Sequence, residues 1–137
     1  FRHCLPLCII SPSSVMIRRS LFREVGTFDE NLHVCEDYDM WLRITRKFPV
    51  HLIREPLIIK RNGHGKQLSA CGWGFDRYRV RSLLKLLDSG TLTPLQARSA
   101  RKILQQKCAI LSRGFYKHGK IEEARYYEAL SFQARGE

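Results

Sequence analysis

The sequence predicts an α/β chain, mostly helical with a few short strands, and three features of its patterning carry that prediction. From Glu36, the residues Met40, Ile44 and Phe48 recur at four-residue steps with Trp41 beside them, the spacing of one helix face. Brief apolar runs at 5–10, 15–17, 50–53 and 56–60, bounded by Ser, Pro or charged residues, have the length of buried strands. Beyond residue 75 a helical period runs almost to the C-terminus, interrupted at Gly90 and Gly119. A chain of 137 residues can bury one core of ordinary size, or one core and a helical appendage.

Taken in order, Leu5 to Ile10 is the first apolar run, and Ser11-Pro12-Ser13-Ser14 ends it. Val15-Met16-Ile17 resumes as a second short strand. Ser20 can cap a short helix over 21–25, which Gly26 ends by adopting a left-handed conformation. Phe28-Asp29-Glu30-Asn31-Leu32 is a turn: Phe28 and Leu32 anchor it, and Asp29 and Asn31 can bond local amides. The main helix is expected over 36–47, stopped by Pro49, because the residue before a proline avoids helical angles. Residues 50–53 and 56–60 read as two strands on either side of Arg54-Glu55. The polar loop 61–69 contains Gly63 and Gly65 and can fold over a ligand. After a joint at 70–74, a helix over 75–87 places Val80, Leu83, Leu84 and Leu87 on one stripe. Thr93-Pro94 starts another, to about His118, with Ala97, Ala100, Ile103, Leu104, Cys108, Leu111 and Phe115 inward. The last helix spans 121–134, with Ala124, Tyr127, Leu130 and Ala134 inward.

The chemistry concentrates in Cys35-Glu36-Asp37-Tyr38-Asp39-Met40-Trp41-Leu42-Arg43, three carboxylates within four residues followed by apolar and cationic side chains. Glu36 and Asp37 fall in the first turn of the main helix, where unpaired amides and the helix dipole favour negative charge. By spacing alone they read first as acids that charge a helix start. The same placement also suits a general base aimed out of the helix end. A second candidate is His64, set between two glycines with Arg61, Lys66 and Gln67 nearby. A lone loop histidine is usually just solvated, but these neighbours are donors that suit phosphate.

The segment from Arg19 to Arg43 carries two motifs in register. Arg19, Phe22, Gly26, Phe28, Asp29 and Glu30 spell "R-x-x-F-x-x-x-G-x-F-D-E", and Glu36, Asp37, Asp39 and Arg43 spell "E-D-x-D-x-x-x-R". With Lys60-Arg61-Asn62-Gly63-His64-Gly65-Lys66-Gln67-Leu68-Ser69 further on, the chain resembles family-2 glycosyltransferases of the GT-A fold over about residues 9–69. The resemblance implies that 1–72 is the C-terminal, acceptor-side part of an inverting GT-A nucleotide-diphospho-sugar transferase, and that 73–137 is a basic α-helical extension. It implies Asp37 as catalytic base with Glu36 orienting its surroundings. Asp39, Arg43, Arg61, Lys66 and Gln67 would be the substrate-binding set, with two alternatives open: Asp39 is structural or contacts the acceptor, and Arg43 pairs with an acid or touches substrate. His64 would be a metal or diphosphate contact. It further implies a divalent metal (Mg or Mn), a nucleotide-sugar donor, a sugar or lipid-linked acceptor, and a place in cell-envelope polysaccharide biosynthesis. In that family the nucleotide sits on an N-terminal half ending in Asp-x-Asp. The 137 residues themselves hold no such half, so the expectation is a fragment that transfers no sugar alone and can self-associate.

The formal net charge of +11 favours anionic partners. Residues 76–137 hold 13 Lys or Arg against 6 Asp or Glu, and residues 1–75 hold 11 against 7, so both parts are basic and the second more so. The sequence carries neither a nucleic-acid motif nor an aromatic–basic stacking platform, so nucleic acid is not the expected partner. A peripheral contact with an anionic membrane surface, on the cytoplasmic side, is the expectation from charge and resemblance together. No apolar run approaches the ~20 residues of a transmembrane helix. Five scattered cysteines read as reduced thiols, and His3, Cys4 and Cys8 lack the second close pair a zinc site needs. Three rival classes stand beside the transferase: a non-catalytic helical scaffold module, a basic nucleic-acid-binding protein, and a metal-dependent hydrolase using the acid cluster, for which multiple His ligands are lacking.

Overall fold

The computed structural model describes residues 1–59, 61 and 74–134 of the chain. Five helices order them: α1 (Arg19–Val25), α2 (Glu36–Thr45), α3 (Asp76–Asp88), α4 (Pro94–Lys117) and α5 (Ile121–Gln133). Two single 3-10 turns, Arg2–Cys4 and Pro12–Ser14, precede them. Helix α2 is the spine. Six of its ten residues are buried (Tyr38, Asp39, Met40, Trp41, Leu42 and Ile44), so it is covered on nearly all sides.

Two apolar clusters form on different sides of α2. Met40, Trp41 and Ile44 pack with Val25 of α1, with Phe22, Phe48, Val15 and Ile17 against them. Tyr38 and Leu42 join Cys4 and Leu5 to Val80, Leu83 and Leu86 of α3 and to Ala100, Leu104, Cys108, Leu111 and Phe115 of α4. The second cluster therefore runs from the N-terminal turn through to Ala124 of α5. The expected boundary between 72 and 73 lies outside the described residues.

Local chemistry explains the helix ends. At the start of α4, the Thr93 side chain accepts from the Gln96 amide (3.3 Å) and the Gln96 side chain accepts from the Thr93 amide (2.9 Å), a reciprocal capping box followed by Pro94. Gly26 closes α1 at φ 78°, donating its amide to the Phe22 carbonyl. Gly119, at φ 70°, turns the chain between α4 and α5. These are conformations that a Cβ disfavours. At the other side of the fold, Asp76 on α3 binds Arg79 (2.9 Å) and Lys107 of α4 (2.8 Å). The Lys107 side chain is only 7% exposed, so this pair fastens α3 to α4 from within. Burial by itself would raise the Asp76 carboxyl, but the hydrogen bonds from Lys107 and Arg79 outweigh it and hold the group below its usual range.

The expected strands are corrected by the structure: the described residues contain no strand. Leu5 follows a 3-10 turn in helical geometry (φ −63°, ψ −45°) and is buried against Tyr38, whose hydroxyl donates to the Leu5 carbonyl at 2.6 Å. Leu5 thus inserts into a helical core instead of extending, while Leu7 and Ile9 of the same run are more than half exposed. Val15 is extended (φ −120°, ψ 149°), but no ladder partner lies beside it among the described residues. Val50, Leu52, Ile53, Leu57, Ile58 and Ile59 are all more than half exposed. An apolar run becomes a strand only when a neighbour takes up its amides and carbonyls. The segment 60–73, apart from Arg61, lies outside the described residues.

Candidate functional site

Helix α2 begins in an unusual way. Its N-cap residue, Cys35, has φ 62° and ψ 19°, and it is the one non-glycine residue with positive φ among the described residues. That left-handed corner sets the direction of the first turn, where Glu36 and Asp37 sit half-buried. One Asp37 oxygen accepts the amide of Tyr38 at 2.7 Å. The half-buried Cys8 thiol lies beside the Asp37 carboxylate and donates to the Ile10 carbonyl at 3.4 Å. Burial, then the hydrogen bond and charge of Asp37, push the Cys8 thiol up to about 12, so it stays protonated at neutral pH. The Cys35 thiol, 3.8 Å from the Phe75 carbonyl, is also raised, chiefly by burial.

Asp39 has a different environment, because residues two apart on a helix point in nearly opposite directions. Its side chain is 2% exposed. One oxygen accepts from Arg43 Nε at 2.8 Å, and the other faces Lys85 Nζ of α3 at 2.6 Å. Arg43 continues to the carbonyls of Val25 and Thr27, the second at 2.7 Å, and so ties the end of α1 to α2. Lys85 also binds Asp29 in the turn before α2 at 2.8 Å. Asp29 itself accepts the Asn31 amide at 3.0 Å. The Lys85 hydrogen bond, followed by that amide, lowers the Asp29 carboxyl to about 2. Asp29, Asp39, Arg43 and Lys85 thus form one ionic network that joins both sequence motifs to α3.

A cleft of about 350 Å³ opens on this network, lined by Asp29, Asp39, Arg43, Arg46 and Lys85 together with Leu42, Leu86 and Ser and Thr side chains. Asp39 and Arg43 line it, whereas Glu36 and Asp37 do not. The acid cluster of the sequence is therefore split between two faces of α2. Arg61 is exposed. His64, Lys66 and Gln67 lie outside the described residues. Among the described residues, no three His, Cys, Asp or Glu side chains converge as metal ligands. Those residues do not fit a divalent metal by themselves. Lys85, Cys8 and Cys35 had no signal in the motifs: Lys85 comes from another helix, Cys8 from the first turn region, and the Cys35 backbone angle leaves no trace in residue type.

Helices packed on a central acid-bearing helix, with both motifs bound into one ionic unit, mark a domain built around the Arg19–Arg43 segment. The chain belongs to the glycosyltransferase-like family 2, whose model matches residues 6–87, well over half its length. It is 38% identical over 65 residues to an uncharacterized glycosyltransferase of Rickettsia felis, a match covering 46% of this chain and 11% of the relative. An uncharacterized glycosyltransferase of Rickettsia conorii matches with the same identity and coverage. One of Rickettsia typhi is 36% identical over 53 residues, 39% of this chain and 17% of the relative. The chain thus spans a small part of the length of the curated relatives it matches. No solved structure matches it. None of the described helices is long and apolar enough to cross a membrane.

Proposed function

We propose that the chain supplies the acceptor-side wall of a sugar-transfer site. In that reaction an acceptor hydroxyl oxygen bonds to the anomeric carbon of a nucleotide-sugar, the bond to the diphosphate breaks with inversion, and Asp37 takes the hydroxyl proton. The observation that supports this reading most is the division of α2. Asp39 is sealed by Arg43 and Lys85, while Asp37 sits half-buried in the first turn beside a protonated thiol. A carboxylate spent on two cations is a poor proton acceptor, so the base falls to Asp37, with Glu36 beside it. Asp39 and Arg43 then hold the site's shape, and Arg61, Lys66 and Gln67 supply donors toward the diphosphate.

A divalent cation, Mg or Mn, belongs to the proposal through its resemblance alone, with ligands drawn from His64 and from residues beyond those described. The reading also holds that the 137-residue chain alone transfers no sugar, since the donor site would lie on another segment. The test is glycosyl transfer by a protein carrying these residues together with a donor-binding segment. Asp37→Asn is expected to lower kcat about 10²–10⁴-fold with the donor KM little changed. Wild-type turnover in that variant would remove the assignment, and turnover by the 137-residue chain alone would remove the second part.

A further inference from the structure

Helix α4 has a face that the sugar-transfer reading does not use. Across its 24 residues it has six Lys or Arg and not one Asp or Glu. Lys107 is turned inward to Asp76. Arg98, Lys102, Arg113 and Lys117 are exposed, and at 3.6 residues per turn all four fall within one outer face of about 120°. Between Arg98 and Lys117 that face is about 29 Å long at 1.5 Å per residue. None of these four residues enters an ion pair among the described residues. Leu95, Ile110 and Tyr116 lie on the same face and are 58%, 55% and 41% exposed. The opposite face, with Ala100, Leu104, Cys108, Leu111 and Phe115, is in the core, so the cationic face cannot turn inward without unfolding α4.

We propose that this face of α4 is a docking surface for an anionic lipid bilayer. The charge α4 brings to this face is one-signed, as complementarity to acidic headgroups requires, with Glu128 of α5 at its edge, accepting from the Tyr116 hydroxyl at 3.1 Å. Each Lys or Arg at such a surface strengthens binding about fivefold. The interleaved Leu95, Ile110 and Tyr116 favour lipid over nucleic acid: they can enter the headgroup boundary, whereas a phosphate backbone offers apolar side chains nothing. The helix lies flat on the surface and does not cross it, in keeping with its charge. The proposal is independent of Asp37 and of the reaction.

The experiment is co-sedimentation of the 137-residue chain with vesicles of phosphatidylglycerol and phosphatidylcholine, against vesicles of phosphatidylcholine alone. Binding only to the acidic vesicles is expected. Changing Arg98, Lys102, Arg113 and Lys117 together to Gln should weaken it at least a hundredfold while the helical circular dichroism stays intact, since Gln is a good helix former. A control that changes the exposed Arg18, Arg19, Arg23 and Arg54 to Gln removes equal charge elsewhere and should bind far better than the α4 variant. Leu95→Ser with Ile110→Ser should also weaken vesicle binding. Equal losses in the two charge variants would overturn the assignment to α4. No preference for acidic vesicles, or α4-dependent duplex binding in a gel shift without vesicle binding, would overturn the lipid partner.

Discussion

Replacing Lys85 with Met removes one ammonium and keeps the aliphatic stem, so the change isolates the charge that joins α3 to both motifs. Lys85 Nζ lies 2.6 Å from Asp39 and 2.8 Å from Asp29. Its side chain is 42% exposed, while that of Asp39 is 2% exposed. An exposed ion pair is worth at most about 1 kcal/mol, and breaking a fully buried one costs about 3–5 kcal/mol. Asp39 keeps Arg43 in the variant, and water can reach it from the Lys85 side, so the expected loss lies between these limits, about 2 kcal/mol. For a domain of this length that is a fall in Tm of about 6 °C. Urea and thermal unfolding followed by circular dichroism measure it. The same substitution in an Asp39→Asn background should cost at least about 1 kcal/mol less, because the buried charge it leaves stranded is already gone. A Lys85→Met protein within about 0.5 kcal/mol of wild type, or strict additivity with Asp39→Asn, would refute the network as a source of stability.

Two further outcomes follow from the same electrostatics. Asp76→Asn strands the buried Lys107 ammonium and should destabilise the protein by about 3–5 kcal/mol, with much of the loss recovered by adding Lys107→Met; chemical denaturation of the single and double variants decides it. The Asp29 carboxyl titrates at about 2 when folded against an ordinary 3.8, so its stabilisation is complete above about pH 4 and disappears as pH falls through 2. Because the group is partly exposed, the amount is about 1 kcal/mol after screening, and Asp29→Asn should flatten that limb of the stability–pH curve.

The helical part of the fold was legible in the sequence because its signals are local. Thr93-Pro94 marked the start of α4, Gly26 and Gly119 marked turns, and the spacing of Ala100, Leu104, Cys108, Leu111 and Phe115 identified the buried stripe. The main helix ends at Thr45, two residues before the expected Lys47. The strands were misread because a short apolar run carries no record of whether it will find a partner. Leu5 found a helical core, and residues 50–59 stand exposed. At the site, the motif letters located the acids but not their separation. Asp37 and Asp39 are two residues apart in the sequence and face different neighbours, because helix geometry rotates one away from the other. Lys85 was invisible for another reason: it lies 46 residues from Asp39 and 56 from Asp29, and local periodicity does not encode such pairings.

Two aspartates on one helix are given different tasks here, and one side-by-side comparison separates them. Sugar transfer and unfolding should be measured for Asp37→Asn and Asp39→Asn in a protein that contains the donor-binding segment. The expected result is that Asp37→Asn loses turnover at nearly unchanged Tm, while Asp39→Asn lowers Tm and retains measurable turnover below its melting temperature. The reverse pattern, with Asp39 needed for turnover and Asp37 dispensable, would contradict the assignment of the base.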